Sequence, residues 1–168
     1  YVLVGVMVLV GRLGPLLNSL LRPLRVTRVD TLPDGSMSVW LGGRGLRRRQ
    51  ARAGQYFQVR FGVRGLWWQS HPYSMSSAPY AEGLRFSLRA VGADAAAFHR
   101  IRPGTRVWLQ GPYGTLTAER AKGSRVVMIA GGTGIAPLRA ILDDLTPSQQ
   151  PEVILRSSLP AHAWFIDA

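Results

Sequence analysis

The stretch RVVMIAGGTGIAP, residues 125–137, decides the fold of the second half of the chain. Its first six residues are a short apolar run that predicts a fully buried strand. The run leads directly into a glycine loop, and residues 138–145 continue with helical periodicity, with Pro137 suited to the first helical turn. A strand, a glycine loop and a helix start in this order leave backbone N–H groups free to bind a pyrophosphate. The spacing departs from the common dinucleotide fingerprint, because Pro137 occupies the position of the third glycine.

A different pattern precedes this stretch. Between residues 24 and 110, short β-type runs alternate with turn residues. The runs cover residues 26–29, 37–41, 56–61, 84–91 and 106–109. Runs of this length and spacing predict a closed or nearly closed antiparallel sheet, a β-barrel. One short helix is expected near residues 94–101, with Asp94 as its cap.

Two segments of this region have an unusual composition. The sequence HPYSMSSAP, residues 71–79, places an aromatic ring, several hydroxyl groups and two prolines between two strands. Such a segment is able to hold a flat ring against a planar ligand while its hydroxyl groups reach the ligand's edge; an ordinary Ser/Pro-rich connection is the alternative. The sequence GPYG, residues 111–114, predicts a tight loop that ends the barrel. Arginine-rich residues 44–52 predict a basic surface loop, with phosphate binding as the alternative.

The chain begins with an apolar segment. Residues 1–10 carry no charge, and the apolar character continues to Leu21, interrupted by Arg12 and Asn18. Three arginines, at positions 22, 25 and 28, follow at once, which is typical of the cytoplasmic side of a membrane span. We therefore expect the end of a transmembrane helix, with a buried or interfacial helix of a soluble protein as the alternative. The chain opens as though an upstream part had been removed, because it lacks a starting methionine and the basic n-region of a signal peptide.

Composition excludes several kinds of site and indicates two units. The chain has 168 residues, 46% of them hydrophobic, and no cysteine, which excludes disulfides, thiolate metal sites and a thiol nucleophile. With three histidines in all, no metal site is expected, and His99 and His162 are interpreted as surface or helix-end residues rather than catalytic ones. The net charge is +12, and residues 1–120 hold 17 basic and 5 acidic side chains against 4 and 4 in residues 121–168. The predicted division is the end of a membrane helix at residues 1–21, followed by two units, a barrel domain at residues 22–120 and the first part of an α/β domain at residues 121–168.

Three motifs in this order resemble the ferredoxin–NADP reductase superfamily, and the branch most similar is that of the membrane-bound ferric reductases and NADPH oxidases. The motifs are HPYS at residues 71–74, GPYG at 111–114 and GGTGIAP at 131–137. The resemblance covers about residues 22–158. It implies an FAD-binding antiparallel β-barrel of Greek-key type, followed by an NAD(P)-binding α/β domain.

The resemblance also implies roles for single residues. Tyr73 would pack against the isoalloxazine ring and Ser74 would hydrogen-bond near its reactive nitrogen, which makes these two the candidate catalytic residues. His71 stands where soluble relatives often have an FAD-binding arginine, so its role is left open. The candidate cofactor-binding residues are His71, Pro72, Tyr73, Ser74, Ser77, Arg89, Gly92, Gly111, Gly114, Thr115, Gly131, Gly132, Thr133, Gly134 and Arg156. Arg89 and Gly92 would meet the FAD pyrophosphate, the glycine loop would hold the phosphates of NAD(P)H, and Arg156 would lie near the adenosine ribose.

The function implied is an oxidoreductase that passes electrons from NAD(P)H through FAD to a one-electron acceptor. That acceptor would be a membrane haem, a ferric compound or another small molecule, with the barrel on the cytoplasmic side of the cell membrane. Haem itself is expected only in an upstream membrane domain, and the two strands expected after residue 121 indicate a truncated nucleotide domain. Activity of this piece alone, the acceptor, the choice of NADH or NADPH and the oligomeric state stay open.

Two alternatives are compatible with parts of the sequence. The first is a soluble siderophore- or ferredoxin-type reductase whose apolar start is a core helix. The second is a basic nucleic-acid-binding barrel in which Tyr56, Phe57, Trp67 and Trp68 stack on bases. The second leaves the glycine loop and the apolar start unexplained.

Overall fold

The computed structural model describes residues 3, 5–7, 10, 24–32, 35–44, 46, 50–80, 83–89, 95–121, 125–146 and 148–156. In chain order the elements are β1 Leu24–Thr31, β2 Met37–Gly42, β3 Tyr56–Phe61, β4 His71–Ser74, β5 Leu84–Leu88, α1 Ala95–Phe98, β6 Arg106–Tyr113, a 3-10 turn Ala118–Arg120, β7 Arg125–Gly131, a 3-10 turn Gly132–Gly134, α2 Ile135–Asp144 and β8 Gln150–Arg156. The predicted order of strands and helices is therefore confirmed at all of the five runs and at the strand–loop–helix unit.

The first six strands form one antiparallel sheet in the order β4-β3-β6-β1-β2-β5. Its two edge strands meet, because Met75, directly after β4, forms a bridge with Phe86 of β5. The backbone N–H of Ser76 also donates to the carbonyl of Arg85 at 2.9 Å. The sheet is thus closed on itself as the predicted barrel.

Alternating residues of these strands fill the barrel. Phe57, Phe61 and Phe86 are fully buried, together with Val39 and Leu41. The rings of Phe57 and Phe86 meet edge to face, with centroids 5.9 Å apart. Burial of each such side chain contributes on the order of 1.5–3 kcal/mol to the stability of the fold.

The strands β7 and β8 are parallel neighbours joined through α2. The helix covers the face of β7 that carries Met128 and Ala130, which pack against its buried residues. The opposite face is bare, since Val127 is 57% and Ile129 73% exposed. The prediction of a fully buried β7 is therefore wrong, because within the described residues a single helix lies on one side of this pair.

The barrel and the β7–α2–β8 unit contact each other through α2. Ala140 of α2 is fully buried in the barrel's core cluster. Near the C-terminal end of α2, the backbone N–H of Ala78 donates to Asp143 Oδ2 at 3.3 Å. Arg52, in the loop before β3, forms an ion pair with Glu119.

Two predicted loops belong to strands. Residues 71–74 form β4, and Gly111 to Tyr113 continue β6. A proline is tolerated in β4 because this strand lies at the edge of the sheet order, where an N–H need not join a ladder. Gly111 lets β6 pass close over the core, since a Cβ there would lie 2.9 Å from Phe57 Cδ1.

Parts of the chain with predictions attached lie outside the described residues. Residues 3, 5–7 and 10 of the apolar start are helical and exposed, and the rest of residues 1–21 is outside. No helix within the described part is both long and apolar enough to cross a lipid bilayer. Gly92, Asp94 and much of the arginine-rich loop are also outside, so their predicted roles stay predictions.

Candidate functional site

The strand β4 presents its residues alternately to the two faces of the sheet. Tyr73 is in register with Phe57 and packs against the barrel core, where it is half-buried. Ser74 is in register with Tyr56 and lies on the outer face of the sheet, also half-buried. The two candidate catalytic residues therefore present a ring and a hydroxyl group to different sides of one edge strand.

The phenol of Tyr73 is held neutral. Burial raises its pKa from 10.0 to about 12, because the surrounding protein solvates the phenolate less well than water does. At physiological pH the side chain is an apolar ring with one O–H donor.

This pKa shift predicts a loss of stability in alkali. Below pH 10 the phenol is protonated in both the folded and the unfolded chain, so its contribution is fully present. Between pH 10 and about 12 the unfolded chain releases the proton first, so the free energy of unfolding falls as the pH rises, by about 2 kcal/mol in all. Urea unfolding at several alkaline pH values measures this slope. Tyr73→Phe, which keeps the ring, should reduce the slope; an equal slope in both proteins would contradict the shift.

Two buried polar atoms flank Tyr73 in the sequence. Within the described residues, no hydrogen-bond partner reaches His71 Nε2 or Ser77 Oγ. The His71 ring lies 6.2 Å from the Tyr73 ring and 6.0 Å from Phe98, centroid to centroid. Buried polar atoms without a partner are costly and are typical of positions that serve a ligand or water.

The HPYS and GPYG motifs are brought together across β3. Tyr56 is in register with Ser74 on one side and with Tyr113 on the other. The rings of Tyr56 and Tyr113 have centroids 5.6 Å apart and are tilted by 42°. Gly114 follows directly, and a Cβ there would lie 3.3 Å from the Tyr56 ring. We call Ser74, Tyr56 and Tyr113 the tyrosine row.

Sequence reasoning did not assign Tyr56 or Tyr113 to this site. For Tyr56 the signal available was the alternation of β3, which places it on the face opposite Phe57. For Tyr113 alternation from Leu109 gives the wrong face, because the register between β3 and β6 shifts between Tyr56 and Gln58. Neighbourhood between β4, β3 and β6 depends on the sheet order, which the sequence did not provide. The tyrosine row exists because β3 lies between β4 and β6 in the sheet.

The segment after β4 is fixed by an arginine that sequence reasoning also missed. Arg85 Nε donates to Ser76 Oγ at 3.2 Å, and its Nη2 donates to the Ser76 carbonyl at 2.5 Å. Ser76 is fully buried, and burial lowers the pKa of Arg85 from its ordinary value. This contact holds the chain between Tyr73 and Ser77 against β5.

The glycine loop opens onto free space at the ends of two strands. Gly131 is in register with Arg156, so both lie at the carboxyl ends of β7 and β8. Gly132 has φ +54°, and a Cβ at Gly132 or Gly134 would meet no heavy atom within 4 Å. Gly134 caps α2 without a side-chain hydrogen bond, and Thr133 is exposed beside it. The glycine loop and Arg156 therefore lie at the same edge of this two-stranded sheet.

The remaining candidates are scattered. Arg89 is exposed directly after β5, and Thr115 is exposed after Gly114. Pro72 is exposed on β4. Among the described residues, no group of three His, Asp or Glu side chains is placed to hold a metal ion.

The aromatic residues of the nucleic-acid alternative do not share a surface. Phe57 is fully buried, so the prediction that it stacks on bases is wrong. Tyr56 begins β3, whereas Trp67 and Trp68 follow its far end at Phe61. Five residues of strand separate these ends by about 17 Å.

Comparisons with known proteins agree with the motifs. No protein-family model matches the chain. It is 30% identical over 105 residues to the ferredoxin–NAD(P)(+) reductase component of the naphthalene 1,2-dioxygenase system of Pseudomonas putida, covering 61% of this chain and 31% of that protein. It is 29% identical over 131 residues to Dual oxidase 2 of Rattus norvegicus, covering 73% of this chain and 8% of that protein.

A solved structure gives the same result. The crystal structure of a ferredoxin NADP+ reductase from Neisseria gonorrhoeae with bound FAD and NADP superposes with a TM-score of 0.71 at 25% identity, covering 87% of this chain and 61% of that chain. The chain spans less than two thirds of the length of each of these proteins. Fold, motif order and these similarities together fit the ferredoxin–NADP reductase superfamily.

Proposed function

We propose that the chain is the FAD-binding part of an NAD(P)H oxidoreductase, with FAD at β4 and NAD(P)H at the glycine loop. The observation that supports this most is the pair of buried, unpartnered polar atoms, His71 Nε2 and Ser77 Oγ, on either side of a neutral, half-buried Tyr73. A planar group with polar edges fits that arrangement better than an apolar ligand does.

The residues at β4 fit FAD in three respects. The Tyr73 phenol would present a ring to the isoalloxazine, and stacked aromatic systems attract each other beyond their area burial. The Ser74 hydroxyl group would donate a hydrogen bond, and His71 and Ser77 would acquire the partners they lack. Arg89, exposed after β5, would pair with phosphate, for which a guanidinium is suited.

The glycine loop fits a dinucleotide. Side chains are absent at three of its four positions, and the space beside Gly132 and Gly134 is open. Phosphate would accept hydrogen bonds from backbone N–H groups at the start of α2, where the helix dipole also favours negative charge. Arg156 would lie beside the ribose end.

The cofactors supply the redox chemistry when bound: the nicotinamide gives a hydride and the flavin releases electrons singly. The chain's own contribution is positional. Tyr73 excludes water from one side of the site and stays protonated, Ser74 offers a donor, and Arg85 holds the intervening segment in place through Ser76.

We propose the membrane-bound ferric reductase and NADPH oxidase branch for the whole protein. Support comes from the HPYS form of the motif, the apolar start followed by arginines and the match to Dual oxidase 2 over 73% of the chain. In this proposal the acceptor is a membrane haem, a ferric compound or another one-electron acceptor, and the barrel lies on the cytoplasmic side of the cell membrane.

A soluble reductase that serves a protein partner is the second candidate. It is favoured by the match to the reductase component of the naphthalene dioxygenase system. Translation of the reading frame upstream of Tyr1 separates the two. Apolar spans with paired histidines would support the membrane branch, whereas a nearby start codon would support the soluble reductase.

FAD binding tests the proposed function directly. Titration of the purified chain with FAD should quench flavin fluorescence saturably, because a ring stacked on a phenol is quenched. Tyr73→Ala should weaken binding about tenfold through lost stacking, and Ser74→Ala about fivefold through a lost hydrogen bond.

Two matched variants control this experiment. Tyr73→Phe keeps the ring and should retain most of the affinity. Ser87→Ala removes another barrel serine, on β5, and should bind as wild type does. Absence of saturable quenching by the folded wild-type chain would overturn the proposal.

A further inference from the structure

The end of the barrel opposite the tyrosine row carries an exposed aromatic pair. Trp67 and Trp68 lie in the loop between β3 and β4 and are each 61% exposed. The loop is anchored, because Leu66, which directly precedes the two tryptophans, is fully buried in the core. We call residues 62–70 the tryptophan loop. An anchored loop that holds two indoles in solvent is an unusual use of large apolar surface.

Arginines surround this loop. The carbonyl of Arg64 accepts a hydrogen bond from Arg100 Nη1 at 3.2 Å, which joins the loop to the residues after α1. The carbonyl of Arg106 accepts from the N–H of Gly62 at 2.8 Å, which joins it to the start of β6. Arg64, Arg100, Arg102 and Arg106 are all exposed. Neither residues 50–80 nor residues 95–118 contain an Asp or Glu.

The apolar N-terminal segment joins the barrel at this same end. Leu24 and Phe61 are both in register with Val107, so the start of β1 and the end of β3 lie at one level. Arg25 is in register with Arg106, and its Nη1 donates to the carbonyl of Gly104 at 2.7 Å. The tryptophan loop therefore lies beside the point where residues 1–23 enter the fold.

We infer that the tryptophan loop docks this end of the barrel on the surface of a lipid bilayer that contains anionic lipids. Trp is favoured at the boundary of headgroups and acyl chains, since its ring is apolar and its N–H is polar. Arginines near an anionic leaflet are attracted to it. One end of the barrel thus carries both the exposed tryptophans and the arginines. The apolar segment enters the fold at this end, which sets the end that faces the membrane. The inference rests on the proposed membrane location and adds a second contact to it.

Quenching by brominated lipids tests the inference with the full chain. Vesicles of phosphatidylcholine and phosphatidylserine with brominated acyl chains should quench tryptophan fluorescence of the wild type. The double variant W67S/W68S should lose most of that quenching, whether or not residues 1–23 hold the chain on the vesicle. The matched control V127S/I129S removes an equally exposed apolar pair from β7 and should be quenched as wild type is.

A variant that removes two positive charges tests the attraction of the arginines to anionic lipids. R64Q/R102Q should bind vesicles with phosphatidylserine about twenty-five-fold more weakly, at about fivefold per arginine. Its binding to vesicles of phosphatidylcholine alone should be unchanged.

The outcomes are distinguishable. Unchanged quenching in W67S/W68S, with the chain still on the vesicles, would overturn the inference and leave the membrane location intact. The inference would also be overturned, in favour of a nucleic-acid partner, if the wild type showed no quenching by lipid but bound DNA in a salt-sensitive way, and if W67S/W68S abolished that binding. FAD affinity of W67S/W68S should match wild type, because both indoles are exposed and the tyrosine row, which includes Ser74, lies at the other end of the barrel; its loss would show that the variant disturbs the barrel.

Discussion

Gly54→Ala is expected to lower the free energy of unfolding by about 4 kcal/mol, since it combines backbone strain with an overlap that only a shift of the backbone can relieve. Gly54 has φ +90°, a conformation that residues with a Cβ rarely adopt. A Cβ there would lie 2.2 Å from the carbonyl oxygen of Leu116 and 2.9 Å from two side-chain atoms of Ile141. The first neighbour is backbone and cannot rotate away. Because Ile141 belongs to α2, the substitution would also push α2 from the barrel.

Gly104→Ala is the matched control. Gly104 has the same φ of +90°, and a Cβ there would meet no heavy atom within 4 Å. This variant should lose about 1–2 kcal/mol through strain alone. Urea unfolding followed by circular dichroism measures both losses. Equal losses in the two variants would mean that the close approach at Gly54 does not exist.

Phe86→Ala should lower the free energy of unfolding by about 4 kcal/mol, because it leaves a cavity where the barrel closes. Phe86 is fully buried, its ring meets that of Phe57 edge to face, and its backbone is bridged to Met75 on the opposite edge of the sheet. The cavity would therefore lie beside the point where the two edge strands meet. The measurement is thermal unfolding, with the near-ultraviolet spectrum as a report on packing of the barrel.

Two variants frame this result. Phe86→Leu keeps most of the volume and should lose less than about 1.5 kcal/mol. Leu116→Ala shortens an exposed apolar side chain and should change stability by about 0.5 kcal/mol or less. A Phe86→Ala protein as stable as the leucine variant would show that the edges are held by backbone contacts alone.

The strands were predictable where side chains alternate with burial. In β3 and β5, the inward residues are buried and their neighbours less so, and period-two patterns report this directly. The β7–α2–β8 unit was predictable for a related reason, since a short apolar run, a glycine loop and a helical period occur in sequence. Composition cannot report how many layers cover a strand, so the bare face of β7 at Ile129 was missed.

The motif segments were harder to predict. Proline and glycine usually indicate loops, yet Pro72 is compatible with an edge strand and Gly111 with a strand that crosses close over Phe57. Neither fact is visible before the sheet order is known. The same limit applies to Arg85, whose role depends on the contact between the two edges of the sheet.

The candidate site divides in the same way. His71, Tyr73 and Ser74 were predicted as candidates because the motif is local. Tyr56 and Tyr113 were not, because they become neighbours of Ser74 through pairing between strands that are far apart in the chain. Local sequence therefore identified the motifs, and topology supplied the second half of the site.

The single covering of the β7–β8 pair has a practical consequence for anyone who handles this polypeptide. Val127, Ile129 and Ile154 form an exposed apolar surface that no element among the described residues covers. We expect the protein to self-associate through this surface, more strongly as the protein concentration and the salt concentration rise. The substitution Ile129→Lys places a positive charge in the middle of this apolar surface and should reduce the self-association.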